Sequence, residues 1–366
     1  MGMDRTLYAI VNPASASGRT KQAWPAILDK LGARGYVVEA YETVGPGDAT
    51  RVARMLVQRG VPELVAVGGD GTLNEVVNGF FTEDGEPISA QTILSVIPAG
   101  TGRDLSRTLG IRDIDHALDV LGSSTVQRID VGLAHHHVGT EERCRCFVNM
   151  ADVGLGAAVW GRVGRPSKRL GGRLTYLIWA GPTMLVFFWE PATVMVDGQV
   201  FYDGPVGMVV LANGRFHAGG MRMAPMASLA DGRFEVLVLE DVPRPVLLGS
   251  LLPRVYRGTH ISHPNVRHCQ GREVMIRAPE PLLFEMDGEQ VGMTDVTARV
   301  VASAIALRVP PDLKLVRQSH PDLTGVDVSV TMSLGLACAR RASPPRCKGT
   351  CVCPPSSPRK AWSIAR

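Results

Sequence analysis

The chain has 366 residues, of which 45% are hydrophobic and 20% are charged, a composition ordinary for a soluble globular protein with room for two domains. Its formal net charge of +4 suits a protein that handles phosphates or meets an anionic membrane surface, but it is too small to indicate nucleic-acid binding. Seven scattered cysteines do not form a disulfide framework, and the N-terminus enters a strand without a cleavable apolar region, so we expect a cytoplasmic protein.

The first third of the sequence alternates predicted strands with predicted helices. The strands are expected at residues 7–11, 36–41, 64–67 and 92–97. Helices are expected around Trp24–Leu31, around Val52–Leu56 with Asp48 as N-cap, and from Thr72, where Thr72 and Glu75 fit a capping box. Strands separated by helices of this length imply βαβ units, and therefore an open, three-layer α/β domain at residues 4–130 with a parallel sheet.

Three loops that leave these strands are rich in glycine and hydroxyl side chains: Asn12–Gly18, Gly68–Thr72 and Pro98–Asp104. Loops that follow parallel strands meet at one edge of the sheet, where helix N-termini and free N–H groups bind phosphate. Because Asp70 would repel a phosphate unless a cation lay between them, we expect Mg²⁺ there. The sequence contains neither the Gly-x-x-x-x-Gly-Lys-Ser/Thr loop nor a Gly-x-Gly-x-x-Gly run in the first helix. Together the three loops predict a polyphosphate and metal site.

Short β-type segments with glycine-rich turns follow from about Ile129 and predict an antiparallel sandwich or partly closed barrel at residues 131–302. The active site would lie in the cleft between the two domains, and residues 303–317 could complete the first. Period-two alternation puts Glu285, Asp287 and Glu289 on one face of a strand end, where they could supply a general base. The apolar stretch 174–189 is shorter than a membrane span and predicts a helix that is buried, lines a pocket or rests on a membrane. The Pro/Ser-rich, basic tail at 318–366 is expected to be disordered.

These motifs resemble those of the diacylglycerol kinase catalytic-domain family, which includes sphingosine kinases and bacterial soluble lipid kinases. The resemblance covers roughly residues 5–310. Its motifs occur in order at Asn12-Pro13 with Ser15–Gly18, Gly68–Thr72, Pro98–Asp104, Gly219-Gly220 with Pro225–Phe234, and Asp287–Glu289. Arg103 departs from the family pattern, which usually has asparagine there.

The resemblance implies an ATP site formed by Asn12, Ser15, Thr43, Gly68, Gly69, Asp70, Gly71, Thr72, Leu73, Asn74 and Thr101. It implies that Asp70 and Asp104 hold the catalytic Mg²⁺, partly through water. It also implies that Asp287 accepts the proton of the substrate hydroxyl, with Glu289 nearby. A second, structural Mg²⁺ would use Asp231 with backbone carbonyls near Ser228 and Arg233.

The implied activity is transfer of the γ-phosphate of ATP to a lipid hydroxyl, first of all diacylglycerol, which would give phosphatidic acid; a sphingoid base or another lipid remains open. The lipid would be presented by a membrane surface, with peripheral contact on its inner face, and a homodimer is left open. NAD kinases share the Gly-Gly-Asp-Gly loop and the two-domain plan, but they usually have a separate downstream Asn-Glu pair, whereas this chain has only Asn74-Glu75. The third alternative is an inactive lipid-binding protein, which the presence of Asp70, Asp104 and Asp287 argues against.

Overall fold

The computed structural model of the chain describes residues 5–88, 91–163, 189–313 and 315. Its N-terminal part contains four parallel strands in the order β4-β3-β1-β2. Their bounds are β1 (Arg5–Val11), β2 (Tyr36–Glu42), β3 (Glu63–Gly68) and β4 (Ile93–Pro98), and the helices are α1 (Arg19–Ala33), α2 (Asp48–Gln58), α3 (Asp70–Asn78), α4 (Asp104–Thr108) and α5 (Ile114–Leu121). The apolar runs of β3 and β4 are buried on both faces, as expected for strands covered by helices. The predicted strands and βαβ units are confirmed, while the three-layer arrangement stays a prediction.

Two predicted helix starts are wrong in detail. Helix α3 begins at Asp70 rather than Thr72, with Gly69 as N-cap and no side-chain cap. The capping box does not form, because the Glu75 carboxylate instead accepts a hydrogen bond from the Ala49 N–H at 3.2 Å. In α2 the N-cap is Gly47, and Asp48 is the first helical residue.

The rest of the described chain forms antiparallel strands, as predicted. The strands are β5 (Val126–Val138), β6 (Glu141–Phe147), β7 (Met150–Gly154), β8 (Glu190–Val196), β9 (Gln199–Ala212), β10 (Phe234–Glu240), β11 (Val266–Gly271), β12 (Glu273–Arg277), β13 (Leu283–Met286) and β14 (Glu289–Arg308). Helix α6 (Leu155–Val163) follows β7, and a helical segment made of Arg244–Val246, the π-helical turn Leu247–Leu251 and Leu252–Arg257 follows β10. A hairpin turn at Asp197-Gly198 joins β8 to β9, with φ of 48° and 78°.

Strand β14 joins the parallel and antiparallel parts of the molecule. It pairs antiparallel with β13, β12 and β5, and near its end Ala306 and Leu307 pair in parallel with β4. The described strands therefore belong to a single 14-stranded sheet with the central order β11-β10-β9-β7-β13-β14-β4-β3-β1-β2. The domain boundaries at 130, 302 and 317 stay predictions.

Three hydrophobic clusters lie along this sheet. The first surrounds β1, β3 and β4 with their helices, and the second lies among the antiparallel strands. The third joins β9 and β10 to the helical segment 244–257, whose predicted apolar side is confirmed by buried Leu247 and Leu251. The carboxyl ends of the parallel strands and the β13–β14 turn lie where the first two clusters meet.

Two further predictions are corrected. Glu285, Asp287 and Glu289 do not share one strand face, because β13 ends at Met286 and Asp287 occupies a tight turn with φ of 49°. The run His135–His137, which we expect from sequence to form a turn, lies within β5. The stretch 174–188 and the tail 318–366 lie outside the described residues. Among the helices that the structure describes, none is long and apolar enough to cross a membrane.

Candidate active site

The ends of β1, β3 and β4 form a cradle of closely packed loops. The Asn12 side-chain amide donates to the Thr72 hydroxyl at 2.9 Å, and the Gly100 N–H donates to the Gly68 carbonyl at 2.8 Å. A Cβ added to Gly100 would lie 2.2 Å from the Gly69 Cα, so a side chain there would collide with backbone. Glycine is therefore required at the crossing of the second and third loops.

Three other predicted ATP contacts lie around the same edge. Ser15 begins a short 3₁₀ turn, and its hydroxyl is 3.3 Å from the position that a Cβ on Gly69 would take. Thr43 follows β2, and its N–H donates to the Val11 carbonyl at 2.9 Å. Thr101 is half-buried in the third loop.

Asp70 and Asp104 form a close carboxylate pair beside the cradle. Each is the first residue of its helix, and the Asp104 N–H donates to the Asp70 carboxylate at 3.1 and 3.3 Å. Gly102 permits this contact, since a Cβ there would be 2.2 Å from Asp70 Oδ2. Desolvation raises the pKa of Asp70, and the charge of Asp287 raises that pKa further. Burial, followed by the charge of Asp70, raises the pKa of Asp104 to about 7. The raised pKa values indicate that nearby positive charge does not offset the burial and mutual repulsion of the two carboxylates.

The Asp104 carboxylate is also held by two groups that lie far apart in the sequence. The Arg107 guanidinium contacts Oδ1 at 2.7 Å, and the Gly219 N–H donates to Oδ2 at 2.8 Å. Gly219 lies in a loop with positive φ at three successive residues, Ala218 to Gly220. This loop connects the antiparallel part of the molecule directly to the aspartate pair.

The Asp287 carboxylate lies in a pocket of donors. Oδ2 accepts from the Val148 N–H and the Asn74 side-chain amide, both at 2.8 Å. Oδ1 accepts from the Asn149 and Met150 N–H groups, both at 2.9 Å. Burial raises the pKa of Asp287, while these four hydrogen bonds oppose the rise because they favour the charged form. Asp287 is only 6% exposed, so its carboxylate is rigidly fixed.

Glu289 lies next to this pocket and faces the cradle. Its side chain is 44% exposed and pairs with the Arg145 guanidinium at 2.7 Å. A Cβ on Gly71 would be 3.1 Å from Glu289 Oε1. Arg145 also donates to Asn74 Oδ1 at 2.5 Å. The side-chain amide of Asn74, on helix α3, therefore contacts Asp287 directly and is connected to Glu289 through Arg145. The side chains of Asn74 and Leu73 are buried in the protein, and a role for these two residues toward ATP stays a prediction.

The residues predicted to hold a second Mg²⁺ lie on one turn before β10. The Ser228 hydroxyl contacts the Leu315 carbonyl, and the Arg233 N–H donates to Asp231 Oδ1 at 3.2 Å. The adjacent Gly232 N–H donates to the buried carboxylate of Asp130 at 2.7 Å. The role of Asp130 in stabilising this turn was not predicted from the sequence.

An apolar cavity with about 630 Å³ of open space lies under the helical segment 244–257. Its lining includes Leu155, Met208, Met221, Met223, Leu247 and Leu251. Met221 is two residues beyond Gly219, whose N–H contacts Asp104. One residue of the cavity lining is therefore two positions from a residue that contacts the aspartate pair.

Two family models match consecutive parts of the chain. Residues 6–134 match the diacylglycerol kinase catalytic domain, and residues 149–309 match the YegS C-terminal NAD kinase beta sandwich-like domain. A diacylglycerol kinase of Staphylococcus saprophyticus is 30% identical over 318 residues, which are 85% of this chain and 98% of that protein. Another, from Staphylococcus aureus strain MRSA252, is 32% identical over 329 residues, 87% of this chain and 98% of that protein. The chain belongs to the diacylglycerol kinase family.

The fold is that of other members of the diacylglycerol kinase family. A crystal structure of a diacylglycerol kinase from Bacillus anthracis strain Sterne matches with a TM-score of 0.61 at 20% identity, over 85% of this chain and 98% of that one. The resemblance on which the sequence analysis relied is thereby confirmed at the level of the family.

Arg103, the residue at which the sequence departs from the resemblance, is the N-cap of helix α4. Its φ is 59°, a left-handed conformation that asparagine adopts more readily than arginine, and its Nε donates to the Gly100 carbonyl at 3.1 Å. Arg145 is a residue of this site that the sequence did not predict.

Proposed function

We propose that the chain is an ATP-dependent kinase that requires Mg²⁺ and transfers the γ-phosphate of ATP to a lipid hydroxyl, with diacylglycerol as the first candidate acceptor. One observation carries the proposal: the glycine cradle, the Asp70–Asp104 pair and the Asp287–Glu289 acids come from opposite parts of the chain and converge at one place. That combination supplies what phosphoryl transfer requires, namely donors for phosphate oxygens, carboxylates for a cation, and a carboxylate for the attacking hydroxyl.

The phosphates of ATP would lie on the cradle, at the N-terminus of α3. Nine residues of helix give its first turn a positive end, and the half-buried Gly69 and Gly71 place no side chain of their own over this turn. The hydrogen bond between Asn12 and Thr72 fixes the first loop against this helix.

The residues present fit the Mg²⁺ that the family implies. Asp70 and Asp104 are close carboxylates, and the charge of Asp70 helps raise the pKa of Asp104, so a divalent cation would relieve their repulsion. Asp70 and Asp104 would hold this ion, and Asp231 with the carbonyls near Ser228 and Arg233 would hold a second. Bound Mg²⁺ supplies charge that neutralises the phosphate oxygens in the transition state.

Asp287 is our candidate for the base, with Glu289 as its neighbour. An aspartate is a weak base for an alcohol, so its action comes late, as the oxygen begins to bond to phosphorus and its proton becomes acidic. Desolvation favours Asp287 for this step because its raised pKa makes it more basic than an exposed carboxylate. To accept the proton, Asp287 must release one of its four donors, and the Asn74 amide is the side-chain donor among them.

A lipid acceptor is supported by the apolar cavity under the helical segment 244–257. Its lining of leucine, valine and methionine suits an acyl chain rather than a second nucleotide. Methionine adapts to irregular apolar ligands because its side chain is unbranched and polarisable. The enzyme would meet its acceptor at the cytoplasmic surface of a membrane.

The decisive experiment incubates the purified chain with γ-labelled ATP, Mg²⁺ and, in separate reactions, mixed micelles of diacylglycerol, sphingosine or monoacylglycerol, or NAD in buffer. We expect label in phosphatidic acid. A labelled sphingoid base would keep the lipid kinase and change its acceptor, and labelled NADP would overturn the lipid assignment. Absence of label in every reaction, from protein that still binds Mg-ATP, would favour an inactive lipid-binding protein.

A bulky substitution in the cavity tests the acceptor site separately. Leu251→Trp should narrow the cavity and lower turnover of a long-chain diacylglycerol at least about 10-fold relative to a six-carbon analogue, while the KM for Mg-ATP stays unchanged. Equal losses with both acceptors would show that the cavity does not hold the acyl chains.

A further inference from the structure

A second group of ionisable side chains lies deeper in the protein than the Asp70–Asp104 pair. It consists of Asp152 on β7, His217 in the loop after β9 and Glu285 on β13. Their side chains are 0%, 3% and 0% exposed. His217 Nε2 lies 3.4 Å from Glu285 Oε2 and 3.7 Å from Asp152 Oδ2, and the three nearest polar atoms are all within 4.8 Å of one another. We call this group the buried triad.

Both carboxylates of the buried triad are anchored on one side only. The Ala157 N–H donates to Asp152 Oδ1 at 2.8 Å, and the Gly288 N–H donates to Glu285 Oε1. Asp152 Oδ2 and Glu285 Oε2 are fully buried and accept no hydrogen bond from any residue that the structure describes. These two oxygens are the ones that point at His217 Nε2. Two aimed, unpartnered oxygens and an imidazole nitrogen thus share one small space.

The described part of the chain gives the two carboxyl groups of the buried triad no permanent positive charge. Among residues 5–88, 91–163 and 189–313, the basic group close to both is the His217 imidazole, and burial lowers the pKa of that imidazole. Burial, followed by the charge of Asp152, raises the pKa of Glu285 well above its usual range, because two buried carboxylates without a cation disfavour each other's ionisation. A divalent cation would make the buried triad neutral, with histidine uncharged.

We propose that Asp152, His217 and Glu285 bind a divalent first-row transition metal, of which Zn²⁺ is the first candidate. One imidazole nitrogen and two carboxylate oxygens suit Zn²⁺ or Mn²⁺, whereas Mg²⁺ prefers oxygen ligands alone. A tetrahedral zinc ion with ligands at about 2.1 Å separates them by about 3.4 Å, close to the two distances from His217. The site is new relative to the two Mg²⁺ sites proposed above and shares no residue with them.

The position of the metal indicates a structural role. Each proposed ligand is two residues from a residue of the candidate active site. Met150, which donates to Asp287, precedes Asp152, and Asp287 itself follows Glu285. Gly219, which donates to Asp104, follows His217. The His217 loop is itself closed by backbone bonds between His217 and Met221 at 2.8 and 2.9 Å. A metal at the buried triad therefore ties β7, β13 and this loop together and fixes Asp287 against Asp104.

Elemental analysis of the full-length chain, expressed without a metal-binding tag and purified in excess Mg²⁺, tests the proposal. We expect about one equivalent of transition metal per chain, and a zinc-selective chelator should lower the melting temperature until Zn²⁺ is restored. Wild-type protein that carries no transition metal, and whose melting temperature does not respond to Zn²⁺ or Mn²⁺, would overturn the proposal and leave a shared proton in the buried triad.

Three variants locate the metal. The double variant Asp152→Asn with Glu285→Gln should lose it, whereas His136→Asn, which changes another buried histidine outside the triad, should keep it. A triple change of Cys347, Cys351 and Cys353 to serine should also keep it, which excludes a thiolate site in the tail. Metal that persists in the double variant would overturn the assignment to the buried triad.

Cobalt substitution in the wild-type chain gives the same answer if the double variant does not fold. We expect weak d–d absorption without the near-ultraviolet charge-transfer band of a thiolate ligand. A strong thiolate band would assign the metal to cysteine and refute the triad. These readouts do not depend on kinase activity, so failure to phosphorylate a lipid would leave this test intact.

Discussion

The two sides of the candidate site are built by different means. On the parallel side, glycine loops present their own backbone, and the Gly68–Gly100 bond and the close approach of Gly100 to Gly69 set the shape. On the antiparallel side, the backbone donates inward to a buried side chain, and Asp287 is fixed by N–H groups of Val148 to Met150. Backbone N–H groups would bind the phosphates of any nucleotide, whereas a carboxylate held in one position would act only on a hydroxyl placed beside it. Binding and chemistry are therefore separable by mutation.

The largest effect on turnover should come from Asp70, which we propose holds Mg²⁺ beside the cradle. Asp70→Ala should lower turnover by about 10³-fold or more, because we propose that Asp70 and Asp104 hold Mg²⁺ together and a single carboxylate would bind the ion less tightly. Turnover across a Mg²⁺ titration, with a thermal melt, measures the change. Asp113→Ala is the matched control: it removes an aspartate N-cap, whose bond to the His116 N–H is 2.8 Å, and should cost about 1 kcal/mol of stability without changing turnover. Near-normal activity of Asp70→Ala would refute the cation role.

The carboxylate pocket should respond in both turnover and stability. Asp287→Asn should lose about 10²- to 10⁴-fold in turnover as a base is removed. It should also lower the free energy of unfolding by about 1–3 kcal/mol. The amide NH₂ group would face N–H donors, so these buried polar groups would lose their hydrogen-bond partners.

Glu289→Gln is the matched change at an exposed acid, and it should preserve stability. Urea unfolding, calorimetric Mg-ATP affinity and steady-state turnover distinguish the two variants. If Glu289→Gln loses as much turnover as Asp287→Asn while its stability is unchanged, then Glu289 becomes the base and Asp287 a positioning residue.

A substitution at Gly100 tests whether its backbone contact with Gly69 determines the shape of the cradle. Gly100→Ala should push the second and third loops apart and raise the KM for Mg-ATP, because the added Cβ would meet the Gly69 Cα at 2.2 Å. Gly32→Ala is the control, since nothing lies within 4 Å of its added Cβ and alanine in helix α1 should stabilise the protein by up to about 1 kcal/mol. An unchanged KM for Gly100→Ala would show that the cradle is more plastic than its packing suggests.

The smallest effect should come from Arg103. Arg103→Asn should stabilise the protein by a few tenths of a kcal/mol, roughly up to 1, because asparagine tolerates the left-handed conformation better. Arg103→Ala loses the same bond to Gly100 but keeps the strain, so the difference between the two variants isolates the backbone effect. Equal melting temperatures for the two would show that conformation does not matter here.

Local sequence patterns predicted strands on both sides but not the contacts on the antiparallel side of the site. The strands β1 to β4 follow from short-range periodicity and spacing. The donors to Asp287 and the buried triad do not, because they join residues more than 60 positions apart and depend on strand pairing such as Glu285 opposite Asp152. Period-two alternation failed at Asp287 because the chain turns there instead of extending.

The bond between Asp130 and strand β14 bears on how the molecule can move. Asp130 accepts from the Ser303 N–H and the Gly232 N–H, both at 2.7 Å. Ser303 has φ of 51° and lies where the β14–β5 register shifts, just before β14 reaches β4. Because β14 continues through Ser303 from the antiparallel strands to β4, no flexible linker separates the two parts of the sheet along this strand. The two hydrogen bonds of Asp130 hold the backbone at the register shift and so restrict bending of the sheet there.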